Sequence, residues 1–153
     1  MNLTTTTVAR SLAAYLAPHF PDITFYEDPN QQKTITPCMF LQQRGSKIDR
    51  ETGGYWMRTI RFDLVYIVDY NLPNMQELYV KALEMLDLAL KVFPYTDGES
   101  THLHLIRTYQ REGTIDLDAL HYKFELRERV SIPENAVKMR EIEEYSEEVN
   151  QWE

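Results

Sequence analysis

The chain has 153 residues and a formal net charge of −8, from 16 Lys and Arg against 24 Asp and Glu. This length suits one domain with its own core, and the acidic balance argues against non-specific adhesion to nucleic acid or anionic lipid. The single cysteine, Cys38, excludes an internal disulfide framework, and no apolar run approaches the ~20 residues of a membrane span. Residues 1–7 are polar and do not resemble a signal peptide, so the cytosol is the expected compartment.

The first predicted element is an amphipathic helix of about three turns that follows the threonine run at residues 4–7. The threonines supply N-cap side chains, and Pro21 marks where the helix must already have ended. Apolar residues recur along it at helical spacing: Val8, Leu12, Tyr15 and Leu16. Residues 23–27 then predict an edge strand, and residues 28–33 a polar loop.

The most strongly patterned stretch is residues 55–70, which alternates with a period of two. One side is apolar apart from Arg58, and the other begins polar and turns apolar near Val65 and Ile67. Such alternation with β-branched and aromatic residues is a strand signature. One dry face beside a partly wet face is typical of a central antiparallel strand. We therefore expect this strand to organise the sheet, with a second strand at residues 35–43.

Residues 44–54 connect these two strands and are predicted to form a protruding polar loop, too long for a tight hairpin turn. The net charge of this connection is +2, from Arg44, Lys47 and Arg50 against two acidic residues. The Gly-Gly pair near its end fits the flexibility of such a loop better than phosphate binding.

A second helix is predicted over residues 75–92, where apolar residues repeat at intervals of three and four. It should cover the buried face of the sheet, and Pro94 followed by Asp97-Gly98 is expected to end it. Two more strands are predicted, at about 101–110 and 119–131. The last of them alternates apolar with charged residues, which again predicts one dry and one wet face.

The segment 133–153 is strongly acidic, with seven Glu against Lys138 and Arg140 and a net charge of −5. An apolar seam recurs along it at helical spacing: Ile142, Tyr145, Val149 and Trp152. An acidic helix with one narrow apolar seam is therefore predicted. The seam could dock on its own domain or on a neighbouring subunit, or could stay partly frayed.

Together these elements predict an α+β fold. The expected architecture is a mainly antiparallel sheet of about four to five strands with two helices packed on one face. It occupies residues 1–132, and the acidic C-terminal helical extension of residues 133–153 follows it.

Three histidines offer a pattern that could hold zinc. His102 and His104 lie two apart on a predicted strand and so point to one face, where His121 from the next strand could join them. No cysteine or supporting carboxylate stands beside them in the sequence, so ordinary surface histidines are the preferred interpretation.

The remaining candidate groups favour structural roles. Asp63 and Asp69 lie six residues apart on one strand face, too far for carboxylates that share a proton. Pairing with arginines on neighbouring strands is the preferred interpretation. Cys38, beside Met39 and Phe40, is predicted to be a buried core thiol. The sequence has no phosphate loop, nucleophile elbow or Cys-pair zinc knuckle, so no catalytic residue, cofactor or metal is predicted.

Aromatic residues are numerous, with ten Tyr, six Phe and two Trp. Several lie near predicted loop or terminal ends, where such side chains concentrate the binding energy of protein interfaces. A well-filled core is an equal alternative. The candidate interface residues are Arg44, Lys47, Arg50, Tyr55, Trp56, Tyr145, Val149 and Trp152.

The order of elements and several short motifs resemble the small tail terminator proteins of bacteriophages and prophages. The similar segments run from about residue 7 to residue 130. They are Phe-Pro-Asp-Ile at 20–23, Thr-Pro-Cys-Met-Phe-Leu at 36–41, Arg-Thr-Ile-Arg-Phe-Asp-Leu-Val-Tyr at 58–66, Glu-Leu-Tyr at 77–79 and Leu-His-Tyr-Lys-Phe-Glu-Leu-Arg at 120–127. The family's Pro-Cys-Phe strand carries an extra residue here, Met39, and the acidic extension is longer than the family pattern.

The resemblance implies a structural protein and no enzyme. Its subunits would close into a ring, expected to be a hexamer, that caps the tail tube, stops tube polymerisation and joins the tail to head connector or neck proteins. Its partners would be further copies of itself, the tail tube protein and those connector proteins. DNA would pass the lumen without specific binding, no membrane would be involved, and the protein would be assembled in the host bacterial cytoplasm into the virion tail.

Three alternatives stay open at this point. A neck or head-completion protein of the same assembly would share ring formation but bind on the portal side. A small metal-dependent hydrolase would use His102, His104 and His121. An interaction module would bind a protein partner through its C-terminal helix.

Overall fold

The structure is a computed structural model, and it describes residues 3–27, 35–98 and 103–132. Within these ranges two helices and six strands follow one another: α1 Thr5–Leu16, β1 Thr24–Tyr26, β2 Cys38–Arg50, β3 Trp56–Ile67, α2 Met75–Ala89, β4 Val92–Tyr95, β5 His104–Ile115 and β6 Leu120–Val130. The predicted α+β class is confirmed, with six strands where about four to five were expected.

All six strands belong to one sheet in the order β1-β2-β3-β6-β5-β4. The β1–β2 pair is parallel, and the other neighbouring pairs are antiparallel. The predicted edge position of β1 is confirmed, and β4 forms the opposite edge. Because β6 lies between β3 and β5, the last of the described strands takes a central place in the sheet.

The predicted organising strand is β3, which pairs with β2 on one side and with β6 on the other. Ile60, Phe62 and Leu64 alternate onto the helix-side face and are buried in the core. On the opposite face, which we call the open face, Asp63 and Val65 are buried as well. The open face is therefore drier at its centre than the alternation predicts.

Both helices contribute to the same core cluster as the helix-side residues of β3 and β6. At the start of α1, Thr4 and Thr7 form the predicted type of cap: the Thr4 side chain accepts from the Thr7 amide, and the Thr7 side chain accepts from the Thr4 amide. α2 buries Tyr79, whose hydroxyl accepts a hydrogen bond from the Val68 amide at 3.2 Å and donates one to the Asp118 carbonyl at 3.1 Å. The predicted covering of the sheet by α2 is confirmed.

Three predicted boundaries were wrong. α2 ends at Ala89, and Pro94, which was expected to end it, lies in strand β4. A proline is tolerated there because β4 is an edge strand. The strand predicted to end at about residue 110 is longer: β5 continues to Ile115 through an irregular pairing between Tyr109 and Glu112.

The third correction concerns the predicted polar loop at 44–54. β2 runs on to Arg50 and β3 begins at Trp56, so most of this stretch is paired strand. Only residues 51–55 connect the two strands. Polar residues on both faces hid the strand from a search for amphipathic alternation.

The predicted C-terminal helix, and with it the division between residues 1–132 and 133–153, lies outside the described residues. So does the predicted loop at 28–33. Neither helix in the described ranges is long and apolar enough to cross a membrane.

Candidate assembly surface

β2 and β3 form a long hairpin whose outer half carries few core residues, since every residue from Ser46 to Arg50 is exposed. We define the distal arm as residues 45–61 of this hairpin together with residues 126–132 at the end of β6. Ile48 pairs with Arg58, and Arg50 with Trp56. β6 continues both rows, so the arm is a three-stranded ribbon.

One long edge of the distal arm has no strand beside it in the described part of the chain. β1 pairs with β2 only over Cys38, Met39 and Phe40. Among the described residues, therefore, no strand pairs with the outer side of residues 45–50. The backbone donors and acceptors of an open edge are a template for a strand from another chain.

The helix-side face of the arm ends in an apolar group that we call the tip platform: Ile48, Trp56 and Val130. The cross-strand register places Trp56 directly beside Val130, and Ile48 one row inward. Ile48 is 47% exposed, and the other two are half-buried. The Arg50 guanidinium lies 6.0 Å from the Trp56 ring centroid, within the range of a cation–π contact.

Below the tip platform, an ion pair anchors the arm to the N-terminal segment. Arg58 Nη1 lies 3.5 Å from Glu128 Oε2 and donates to the Leu3 carbonyl at 3.1 Å. The Leu3 amide in turn donates to Glu128 Oε1 at 3.4 Å. The Glu128 side chain is buried, so its charge depends on these two donors.

The opposite face of the arm is charged and aromatic. Arg129 lies 3.3 Å from Glu51 and 5.5 Å from the ring centroid of Tyr55. Arg127 lies 4.1 Å from the ring centroid of Tyr109 on β5. Guanidinium groups stacked on aromatic rings are typical of protein interfaces.

The distal arm is basic in an acidic protein. It carries six Arg and Lys against three Asp and Glu, a net charge of +3, whereas the whole chain carries −8. The cations are Lys47, Arg50, Arg58, Arg61, Arg127 and Arg129, and the acids are Asp49, Glu51 and Glu128. This surface therefore favours an acidic partner.

The structure brings together half of the residues predicted for the interface: Lys47, Arg50, Tyr55 and Trp56 all lie in the distal arm. Arg44 lies just before the arm in β2. Its side chain points to the open face, where Nη2 is 3.1 Å from Asp63 Oδ2. The other three predicted residues, Tyr145, Val149 and Trp152, lie outside the described residues. Sequence reasoning missed Ile48 within the hairpin, and it missed Arg127, Arg129 and Val130, whose place beside the hairpin follows only from the pairing of β3 with β6.

A second polar feature lies on the open face, where a cleft of about 750 Å³ surrounds Asp63 and His121. Asp63 is fully buried, and its Oδ2 lies 3.0 Å from His121 Nδ1. The predicted pairing of Asp63 with an arginine on a neighbouring strand is confirmed by its contact with Arg44. His121 Nε2 lies 3.4 Å from Asp116, so the nitrogen that a catalytic triad aims at its nucleophile faces a carboxylate instead.

The histidine pattern does not form a metal site in the described part of the chain. His104 pairs with Tyr95 on β4, whereas His121 pairs with Thr114, ten residues further along β5. That separation corresponds to roughly 30 Å along a strand, and His102 lies outside the described residues. No group of three His, Cys, Asp or Glu side chains in the described ranges is arranged to hold a metal ion.

Cys38 is the predicted core thiol. Its side chain is fully buried, and burial raises the pKa of the thiol. A buried thiol with a raised pKa is a poor nucleophile, because the thiolate is the reactive form.

A family model described as phage tail terminator protein matches residues 7–138. None of the curated proteins matches the chain significantly. Since the family match covers most of the 153 residues, the chain belongs to the phage tail terminator protein family and is a structural component of a phage tail.

Proposed function

We propose that this protein forms a closed ring, a hexamer as the family resemblance implies, that caps the tail tube and stops its polymerisation. The other side of the ring joins the tail to head connector or neck proteins. The ring is assembled in the host bacterial cytoplasm and becomes part of the virion. The observation that carries the proposal is the distal arm, which has an outer edge that no described strand pairs with, the tip platform on one face and charged and aromatic side chains on the other.

The open edge and the rest of the sheet give the subunit two different sides. β2 ends the sheet at the arm, and β4 ends it on the other side. When one side of a subunit binds the opposite side of the next, each subunit is rotated by the same angle relative to its neighbour. The assembly closes into a ring when these rotations add up to a full turn. This asymmetry supports head-to-tail association of identical subunits.

We place the distal arm at a contact with the tube or with the neighbouring subunit, and not in the lumen. Its net charge of +3 would hold DNA, whereas the overall charge of −8 suits a channel through which DNA passes without binding. Aromatic and arginine side chains are also the residues most enriched where proteins bind proteins.

A shortened arm tests the proposal. Residues 49–57 are replaced by Asn-Gly, so that a two-residue turn connects Ile48 to Arg58. These two residues are already cross-strand partners, and the Arg58–Glu128 ion pair stays in place. We expect a folded protein that no longer forms rings or caps tubes, because the tip of the arm is gone. Sedimentation over a concentration series and negative-stain images with purified tube protein measure both properties.

A matched control is Glu77→Ser with Lys81→Ser, which removes an exposed ion pair on α2. The control should retain rings and capping. Rings and capped tubes from the shortened-arm protein would overturn the assignment of the arm. Rings that bind neck proteins but no tube would replace the terminator function by that of a neck or head-completion protein.

A further inference from the structure

The tip platform is an unusual surface to leave in water. Ile48 is 47% exposed, and Ile132, two residues beyond Val130, is 45% exposed. Trp56 and Val130 complete the group and are only half-buried. The N-terminal segment reaches the row below, where Leu3 contacts Arg58 and Glu128. Clustered exposed apolar side chains are a feature of binding surfaces.

The positive charge around the tip platform favours an acidic partner. Arg50 stands on the same face and contacts the Trp56 ring. No ion pair of Arg50 is seen within the described ranges, in contrast to Arg58 beneath it. The arm as a whole carries +3. A matching partner presents a narrow apolar strip flanked by carboxylates.

The chain itself contains such a partner. Residues 133–153 follow Ile132 directly, carry a net charge of −5 and contain the apolar seam Ile142, Tyr145, Val149 and Trp152. The family match ends at residue 138, before the seam begins. The nine residues between Ile132 and Ile142 span about 30 Å when extended, several times the spacing between neighbouring strands. The seam can therefore return to the platform of its own chain.

We propose that residues 141–152 dock on the tip platform of the same chain, with the apolar seam on Ile48, Trp56 and Val130 and the glutamates toward the arginines of the arm. The short connection gives an effective concentration in the millimolar range, which favours the same chain over a second copy. As a consequence, which unlike the docking itself rests on the proposed function, the arm of a free subunit is covered until an assembly partner displaces the segment.

Trp56 reports the docking directly. Trp152 is the other tryptophan of the chain, so in the full-length Trp152→Phe protein all tryptophan fluorescence comes from the platform. Adding Ile142→Ser and Val149→Ser should raise the acrylamide quenching constant of Trp56 about twofold. The matched control, Ala136→Ser with Val137→Ser, changes two apolar residues outside the seam and should leave quenching unchanged. Unchanged quenching in the seam variant would overturn the proposal.

A disulfide trap separates docking within one chain from docking between chains. Cys38 is buried, so Ile48→Cys and Val149→Cys provide the reactive pair. We expect an internal disulfide, at a rate that does not depend on protein concentration. The control pair, Leu88→Cys with Val149→Cys, places a cysteine on an α2 residue that is 85% exposed, and it should close at least tenfold more slowly. Disulfide-linked dimers, or equal rates for the two pairs, would overturn docking on the same chain.

The two proposals can fail separately. In one outcome, the shortened-arm protein fails to form rings while Trp56 quenching in the Trp152→Phe protein does not change with the seam substitutions. That result would support the proposed function and refute the docking. Seam-dependent quenching in a protein that never forms rings would leave the docking standing without the proposed function.

Discussion

Asp63 and His121 are diagonal neighbours on β3 and β6, with Asp63 Oδ2 3.0 Å from His121 Nδ1. The second ring nitrogen of His121 faces Asp116 at 3.4 Å. A neutral imidazole has a single N–H and can donate to only one of these carboxylates. Asp63 is fully buried and therefore relies on Arg44 as its second donor. The network joins three strands and the turn before β6, which is a structural role.

Arg44→Ala should destabilise the protein, because the buried Asp63 charge then keeps a single donor. The expected loss in the free energy of unfolding is about 1–2 kcal/mol, measured by urea denaturation. Arg61→Ala is the control: Arg61 lines the same cleft and is exposed, so its effect should stay within about 0.5 kcal/mol. Equal effects of the two substitutions would contradict the dependence of Asp63 on Arg44.

Arg58→Met should cost more, because Glu128 is buried with a side-chain exposure of 3%. Removing one partner of a buried pair leaves an uncompensated charge, and we expect a loss on the order of 2–4 kcal/mol. Arg58→Met combined with Glu128→Leu removes both charges and should recover at least half of the loss. Chemical denaturation of the two variants measures the difference, and a double variant less stable than Arg58→Met would refute this account.

Gly113→Ala should disturb the contact between α2 and β5. A methyl group at position 113 would overlap Leu83 Cδ1 and lie 3.2 Å from a ring carbon of Tyr122. We expect a loss of about 1–3 kcal/mol from overpacking. In a double-mutant cycle, Leu83→Ala should relieve part of this loss, because it removes the overlapping atom. Additive effects of the two substitutions would show that Leu83 simply moves aside.

Tyr122 should contribute to the fall in stability at alkaline pH. Burial, and then the hydrogen bond that its hydroxyl donates to Asp87, raise the pKa of Tyr122. An unfolded tyrosine has a pKa of about 10, so the unfolded state loses this proton first. The contribution of Tyr122 is therefore fully present below about pH 10 and is lost as the pH rises above it.

Tyr122→Phe tests this linkage. The substitution should cost about 1 kcal/mol at pH 7 through the lost hydrogen bond. Urea denaturation between about pH 9 and 11, the range around the pKa of an unfolded tyrosine, should show a shallower fall in stability than in the unaltered protein. Burial also raises the pKa of Tyr66 and Tyr79, so part of the fall will remain. Tyr70→Phe, at a side chain 73% exposed, controls for the loss of a phenol, and an identical slope in the Tyr122 variant would contradict the prediction.

The sequence was sufficient to predict the helices and strands that bury one face in the core. β3, β6 and both helices were predictable because their apolar residues repeat with the period of a strand or a helix. Residues 46–50 were mistaken for part of a loop because this end of β2 is exposed on both faces and shows no such period. β4 was missed because it is four residues long and contains Pro94, which usually argues against a strand.

The candidate surface was predicted only in part, for a related reason. The basic and aromatic residues of the hairpin stand close together in the sequence, and charge alone singled out Lys47 and Arg50. Val130, Arg127 and Arg129 reach the same surface through the pairing of β3 with β6, which no local pattern shows. The burial of Asp63 likewise depends on side chains from β2 and β6 that meet only in the folded sheet.

The central place of β6 has a consequence for how the chain folds. β3 and β5 each need β6 as a neighbour, yet β6 is the last of the described strands to leave the ribosome. Until then both strands have an unpaired inner edge, where another nascent chain could add a strand. Pairing across such sequence separations slows folding, to milliseconds or seconds in comparable topologies. The sheet therefore closes only after β6 has been synthesised, and the yield of native protein should depend on how quickly residues 120–130 are inserted between β3 and β5.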